Sequence, residues 1–222
     1  MKVQLIPVIE ITNYDDDIQV PLFSPYWEFP DEWQDYHMSA NIKADFSGDL
    51  KPYVKGFSLY KITEISDADL LKVIHKEIEI QQADEDSGTI YLNCSLAGGY
   101  VLNIDGADCY FPQCCADLGD IEDWEDLLDD DHSYFYMGHP SPAIEKYDHK
   151  IILDFLNSEI QENYAPPVSD HRIEVDKEAL KIAVAHVKKE LHAFAQRLLN
   201  INQTENLNIP EIDKILMYGT EQ

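Results

Sequence analysis

GGYVLNIDGADCYFPQCCADLGDIEDWEDLLDDD, residues 98–131, is the stretch of sequence that decides the fold. Within it, the pair Asp105-Gly106 is a strong signal for a two-residue turn, and it predicts a β-hairpin between strands 98–104 and 107–111. Beyond the second strand, apolar residues recur at helical spacing and predict an amphipathic helix. They are Leu118, Ile121, Trp124, Leu127 and Leu128. The chain is therefore expected to pass from a strand into a helix within a few residues.

A long amphipathic helix is the clearest element in the second half of the chain. Asp176 is suitably placed as an N-cap, and residues 177–200 carry one continuous apolar seam at alternating four- and three-residue steps. The seam consists of Leu180, Val184, Val187, Leu191, Phe194 and Leu198. We expect this face to pack across a sheet or against another helix.

The other predicted elements are shorter. Ser66 is placed to cap a helix with an acidic first turn, and short helices are predicted at 30–36 and after Pro210. Residues 2–11 are rich in β-branched side chains and predict a strand, in which Pro7 indicates an edge position or a bulge. Further strands are predicted at 56–62, 89–94, 133–137, 150–155 and 171–175.

The elements predict a single α+β domain over residues 1–222. A hydrophobic fraction of 45% in 222 residues suffices for a substantial core, and neither repeats nor a low-complexity linker divide the sequence. In the expected architecture, a mostly antiparallel sheet with hairpins packs against a few helices, including the long C-terminal helix.

Charge is the most unusual property of the composition. The chain has 16 basic and 43 acidic residues, which gives a net charge of −27. Residues 177–222 carry six of each sign, so residues 1–176 carry the whole excess. Such a charge disfavours nucleic acids and anionic membranes as partners, because each phosphate contact needs a cation. It favours a basic protein partner, whose encounter it would accelerate; plain solubility is the alternative explanation.

The sequence predicts a cytoplasmic protein. Its N-terminus lacks the apolar core of a secretory signal, and no apolar run reaches the roughly 20 residues that span a bilayer. The four cysteines do not have the pattern of a disulfide scaffold, and adjacent cysteines rarely bridge each other. A reducing compartment is therefore expected.

No motif predicts a catalytic, metal or cofactor site. Cys109, Cys114 and Cys115 lack the ligand spacing of zinc sites, and the adjacent pair would point in opposite directions in an extended segment. We expect core or turn cysteines without a bound metal or cofactor. Phosphate-binding glycine loops are absent. A hydrolase using carboxylate or Cys–His chemistry remains one alternative to a binding protein, and an acidic structural or regulatory protein is another.

Two groups of side chains are predicted to contact a partner. The first is the outward acidic face of the helix after Asp117: Asp120, Glu122, Asp123, Glu125, Asp126, Asp129 and Asp130. The second belongs to a proline-punctuated acidic segment and comprises the aromatic residues Tyr26, Trp27 and Trp33. Aromatic anchors surrounded by charge are typical of binding hot spots; packing under the loop as part of the core is the alternative.

Three short motifs carry a resemblance to a bacterial family. The segments GGYVL, FPQCCADLGDIEDW and GHPSP resemble a group of bacterial proteins with a PQCC-DL-DI-W core, which we associate with immunity proteins of polymorphic toxin systems. The matching residues are Gly98, Gly99, Pro112, Gln113, Cys114, Cys115, Asp117, Leu118, Asp120, Ile121, Trp124, Gly138, His139, Pro140 and Pro142.

The resemblance implies a cytosolic antidote that neutralises a cognate toxin domain, and it supplies no catalytic residues. Toxin domains that cut nucleic acid are basic, so an acidic antidote can cover their substrate surface. From residues and resemblance together, we expect an acidic binding protein whose partner is a basic protein, with a toxin domain as the most specific candidate.

Overall fold

Two antiparallel sheets and five α-helices form the described part of the protein. The computed structural model describes residues 1–82, 92–131, 134–157 and 162–220, and it confirms the α+β class. The strands are β1 (Val3–Glu10), β2 (Leu59–Lys61), β3 (Gly98–Ile104), β4 (Ala107–Tyr110), β5 (Ala143–Lys146), β6 (Lys150–Asp154) and β7 (Arg172–Asp176). The helices are α1 (Pro30–Lys43), α2 (Asp67–Gln82), α3 (Ile121–Asp126), α4 (Lys177–Thr204) and α5 (Ile212–Tyr218).

The first sheet has the strand order β2-β1-β3-β4 and contains the predicted hairpin. Asp105 and Gly106 both have positive φ, at 52° and 91°, as the two central residues of a type I′ turn require. Because Ile104 pairs with Ala107 across this turn, the turn sets the register of β3 against β4. The hairpin prediction is confirmed.

The position of Pro7 corrects a sequence prediction. β1 is not an edge strand, because β2 and β3 flank it on both sides. The carbonyl of Pro7 accepts a hydrogen bond from the Ile62 amide, so the nitrogen of Pro7 also points toward β2. The Ile62 carbonyl, which an amide at position 7 would otherwise reach, accepts a hydrogen bond from the Arg197 guanidinium at 2.7 Å. A proline is thus tolerated inside the sheet.

The second sheet has the order β5-β6-β7, and it differs most from prediction. The strands at 150–155 and 171–175 are confirmed as β6 and β7, whereas β5 lies in a segment for which no strand was predicted. Residues 134–137 form a loop, not a strand, and the strand predicted at 56–62 shortens to β2. The strand predicted at 89–94 falls largely outside the described residues, and residues 92–94 are not extended in a sheet.

The helices follow their predicted caps. Asp176 accepts a hydrogen bond from the Ala179 amide at 2.8 Å and begins α4, and the hydroxyl of Ser66 accepts one from the Asp69 amide at the start of α2. All six residues of the predicted seam on α4 are buried, and the helix packs on β1. The helix predicted at 30–36 continues to Lys43 as α1. One continuous hydrophobic cluster includes residues of both sheets and of α4.

Gly98 allows three segments to meet at one point. It has φ 140°, and a Cβ atom added there would lie 2.2 Å from the Val8 carbonyl oxygen of β1. On its other side, the Gly98 amide donates to the Ala116 carbonyl at 3.0 Å. Only a residue without a side chain fits between the two backbones.

Gly98→Ala is therefore expected to lower the free energy of unfolding by about 2–5 kcal/mol, since it adds backbone strain and overpacking together. Chemical denaturation measures the change. Gly48→Ala is the control, because no atom lies within 4 Å of the added Cβ, and a change within about 0.5 kcal/mol is expected. Equal destabilisation of the two variants would contradict this account of Gly98.

Candidate functional site

The helix predicted after Asp117, which we call the acidic helix, begins with a reciprocal pair of hydrogen bonds. Residues Leu118–Asp120 form a short 3₁₀ turn that leads directly into α3. The Asp117 carboxylate accepts from the Gly119 amide at 2.6 Å, and the Asp120 carboxylate accepts from the Asp117 amide at 3.1 Å. This capping box explains why the chain can change from strand to helix so abruptly.

Asp120 is buried, which corrects its prediction as part of the outward face. Only 8% of the residue is exposed. Burial, together with the nearby charges of Asp117 and Asp123, raises the pKa of its carboxyl group to about 8, although the hydrogen bond from the Asp117 amide acts in the opposite direction. Asp120 therefore holds the helix start in place and is not available to a partner.

Cations from other elements bind two of the predicted acidic residues. Glu125 pairs with Lys188 of α4, and Asp130 pairs with Lys177 at the start of the same helix, each with a nitrogen–oxygen distance of 2.5 Å. These ion pairs join residues 63 and 47 positions apart in the chain. Two ion pairs, one from α3 and one from the residues that follow it, therefore join this acidic segment to α4.

The other acidic residues are placed unequally. Glu122 and Asp129 are exposed, while Asp123 and Asp126 are half-buried. A carboxylate oxygen of Asp123 accepts from the Tyr136 amide at 3.3 Å. Lys146 of β5 donates to the backbone carbonyls of Asp126 and Asp129, so it fixes the end of the helix. The predicted outward face is thus smaller than the sequence indicates.

The predicted aromatic anchors pack against each other and against neighbouring aromatic rings. Tyr26, Trp27 and Trp33 are all half-buried. Tyr26 makes edge contacts with Trp27 and with Phe57, with ring centroids 4.8 Å and 4.7 Å apart. The Trp33 indole nitrogen donates to the Phe23 carbonyl at 3.0 Å. These contacts agree with the alternative given above, in which the aromatic side chains pack under the loop.

A different set of apolar side chains is exposed next to these aromatics. Leu22 is 84% exposed and Tyr14 is 81% exposed, and four other apolar residues of the loop and α1 are also solvent-exposed. We call the whole set, together with three exposed carboxylates, the acidic-apolar surface. It comprises Tyr14, Val20, Leu22, Phe23, Met38 and Ile42, with Asp16, Glu32 and Asp35.

The loop that carries much of this surface is fixed at both ends along α1. Lys43 near the end of the helix pairs with Asp15 at 2.5 Å and with Asp17 at 2.7 Å. At the other end, Trp33 holds the carbonyl of Phe23. Between these points, loop and helix border a groove of about 300 Å³ that Val20 and Leu22 line together with Glu32 and Asp35.

The sequence carried a signal for this surface that the predictions did not use. Val20 to Phe23 is an apolar run interrupted only by Pro21, and acidic residues flank it on both sides. A proline in an apolar run disfavours a buried strand, so the segment had no obvious place in the core. An apolar run that cannot enter a sheet is a candidate for an exposed binding segment.

A second feature lies where the PQCC motif meets the aromatic segment. A cleft of about 310 Å³ is lined by residues that include Glu10, Tyr26, Cys114 and Cys115. Both cysteines are exposed, and their sulfur atoms are 3.5 Å apart. Of the two positions expected for these cysteines, core or turn, the structure shows the turn, and the opposite directions expected for an extended segment do not apply.

The backbone conformation of Cys115 explains this arrangement. Cys115 has φ 67°, and the Ala116 amide donates to the Gln113 carbonyl at 3.1 Å, so residues 113–116 form a tight turn. Alternation of side chains holds only for extended backbone. The other two cysteines do not join the pair: Cys94 is exposed and Cys109 is half-buried.

Comparison with protein-family models, with curated proteins and with solved structures finds no match. The resemblance to immunity proteins therefore stays a hypothesis. Among the described residues, no helix has the length and apolar character needed to cross a bilayer.

The raised pKa of Asp120 predicts how stability depends on pH. The folded protein keeps the proton up to about pH 8, whereas the unfolded chain releases it near the ordinary pKa of 3.8. Unfolding thus releases a proton between these values, and the free energy of unfolding should fall with rising pH, by at most about 1.4 kcal/mol per pH unit. Asp120→Asn should remove this slope.

Thermal or chemical unfolding from pH 4 to pH 9 measures the difference between wild type and variant. Glu122→Gln is the matched control on the same helix, because Glu122 is exposed. Its free energy of unfolding should depend on pH in the same way as that of the wild type. Parallel curves for Asp120→Asn and wild type would show that Asp120 titrates normally.

Proposed function

We propose that this protein binds a basic protein partner through the acidic-apolar surface. The observation that carries the proposal is the exposure of several large apolar side chains on one anchored loop and the adjacent helix. Clustered exposed apolar residues on a soluble protein typically mark an interaction site. Because the loop is held at both ends, little conformational entropy would be lost on binding.

The charge of the same region selects the class of partner. Residues 14–45 contain eight acidic residues and a single lysine, Lys43. Asp16, Glu32 and Asp35 are exposed beside the apolar side chains. An apolar centre with an acidic rim is complementary to a partner whose apolar side chains are surrounded by lysine and arginine. The charge would also speed association at low salt.

Toxin neutralisation is the most specific form of this proposal. It rests on the resemblance of the PQCC and GHPSP segments to immunity proteins and on the complementarity of an acidic surface to a nucleic-acid-cutting domain. The acidic helix contributes less than its sequence indicates, because Glu125 and Asp130 already bind lysines of this chain. Glu122 and Asp129 remain exposed at the margin of that helix.

Removal of the apolar contacts should weaken binding strongly. The double variant Leu22→Ser, Phe23→Ser is expected to raise the Kd for a basic toxin domain, to be sought in the neighbouring genes, by about 30-fold or more, as loss of a hot spot does. Isothermal titration calorimetry with a catalytically inactive toxin domain measures the change. Ile182→Ser on α4 is the control, since Ile182 is 70% exposed but lies outside the surface.

Removal of the charges should mainly lower the association rate. Asp16→Asn with Glu32→Gln and Asp35→Asn is expected to lower the association rate and its dependence on salt, more than the dissociation rate. Glu178→Gln, an exposed change on α4, serves as the control. Failure of the toxin domain to bind, or binding that neither set of substitutions weakens, would contradict the proposal.

A further inference from the structure

We propose that Cys114 and Cys115 form a two-thiol site that binds an uncharged organic compound of trivalent arsenic. The two sulfur atoms are 3.5 Å apart and both side chains are exposed at the cleft. A single atom held by two bonds of about 2.3 Å, the length of a thiolate–zinc bond, at angles of about 90° to 109°, separates two sulfurs by roughly 3.3 to 3.8 Å. The pair already has this separation.

The turn that carries the pair is fixed by contacts on both sides. The His139 amide donates to the Cys114 carbonyl at 2.8 Å, and a Cβ atom on Gly138 would lie 2.6 Å from the same oxygen. Buried Gln113 donates to the Phe111 carbonyl and accepts from the Ala165 amide, each at 2.8 Å. A bidentate ligand therefore finds the thiols already arranged, which reduces the entropy lost on binding.

The reaction at this site is an exchange without oxidation or reduction. An arsenic atom that carries one organic group and two hydroxyl groups loses both hydroxyls as water, and each leaving hydroxyl takes one thiol proton. Two arsenic–oxygen bonds break and two arsenic–sulfur bonds form. Arsenic stays trivalent, so the step needs no additional reactant.

Two thiol ligands are too few for a structural zinc ion, but they suffice for an organic compound of trivalent arsenic. Zinc requires four ligands at a structural site. Among the described residues, no group of three or more histidine, cysteine and acidic side chains has the arrangement to hold a metal ion. An organic arsenic compound needs only the two sulfurs, because its third bond goes to carbon.

The cleft has room for the organic group and selects its charge. Its volume of about 310 Å³ exceeds the roughly 150 Å³ in which a benzene ring can bind, and Phe57 and Pro112 supply apolar walls. Glu10 lies in the same cleft, and Glu10 and Glu162 act electrostatically on Cys114, raising its pKa after the larger effect of Cys115 itself. An uncharged aryl group is therefore favoured over an anionic one.

The test uses the reduced full-length protein and phenylarsine oxide. Intact-mass spectrometry should show one equivalent bound, which excess monothiol does not remove and a dithiol such as dithiothreitol does. Cys114→Ser and Cys115→Ser should each weaken binding at least about 100-fold, because either change removes the second attachment. The double variant Cys94→Ser, Cys109→Ser should bind like the wild type.

Two further measurements separate the site from general thiol reactivity. Alkylation of Cys114 and Cys115 in the Cys94→Ser, Cys109→Ser protein should abolish binding, and 4-carboxyphenylarsine oxide should bind more weakly than the phenyl compound. The unfolding midpoints of the two single serine variants should equal that of the wild type, since both side chains are exposed. Release of the adduct by monothiol, or equal binding by Cys114→Ser, would overturn the proposal.

Discussion

The close approach of two backbones at Gly98 is the constraint on which the rest of the structure depends. Without a Cβ atom, Gly98 lets β1 pair with β3 along seven residues, while its amide binds the carbonyl of Ala116 on the other side. The neighbouring residue Leu96 extends this arrangement, because its amide donates to the Leu216 carbonyl of α5 and its carbonyl accepts from the Leu118 amide. The first sheet, the cysteine turn, the acidic helix and α5 therefore all contact the short segment 96–98.

The same arrangement explains why the acidic helix is less of a binding surface than its composition indicates. The helix is attached at its start by the capping box of Asp117 and buried Asp120, and at Glu125 by Lys188; Lys146 and Lys177 contact its end and the residues that follow it. Two lysines of α4, Lys177 and Lys188, thus pair with acidic residues of the segment 117–131. On the loop and α1, by contrast, Glu32 and Asp35 border the same groove as the exposed apolar side chains of Val20 and Leu22.

Local patterns predicted much of the fold, and long-range contacts account for most of what they missed. The Asp105-Gly106 turn, the caps at Ser66 and Asp176 and the seam of α4 each depend on neighbouring residues, and all are confirmed. The pairing of Glu125 with Lys188 joins residues 63 positions apart, and no local pattern reveals it. Similarly, an extended segment would place Cys114 and Cys115 on opposite sides, whereas the positive φ of Cys115 gives a turn in which their sulfurs lie 3.5 Å apart.

Hydrogen exchange in the complex with the toxin domain tests the central functional claim most directly. If the acidic-apolar surface is the interface, backbone amides within residues 14–43 should exchange more slowly when the partner is bound, because binding covers the loop and α1. Amides of α3 and of the outer face of α4 should exchange at unchanged rates. Slower exchange confined to residues 117–131, with no change at residues 14–43, would show that the acidic helix binds the partner and would contradict the account.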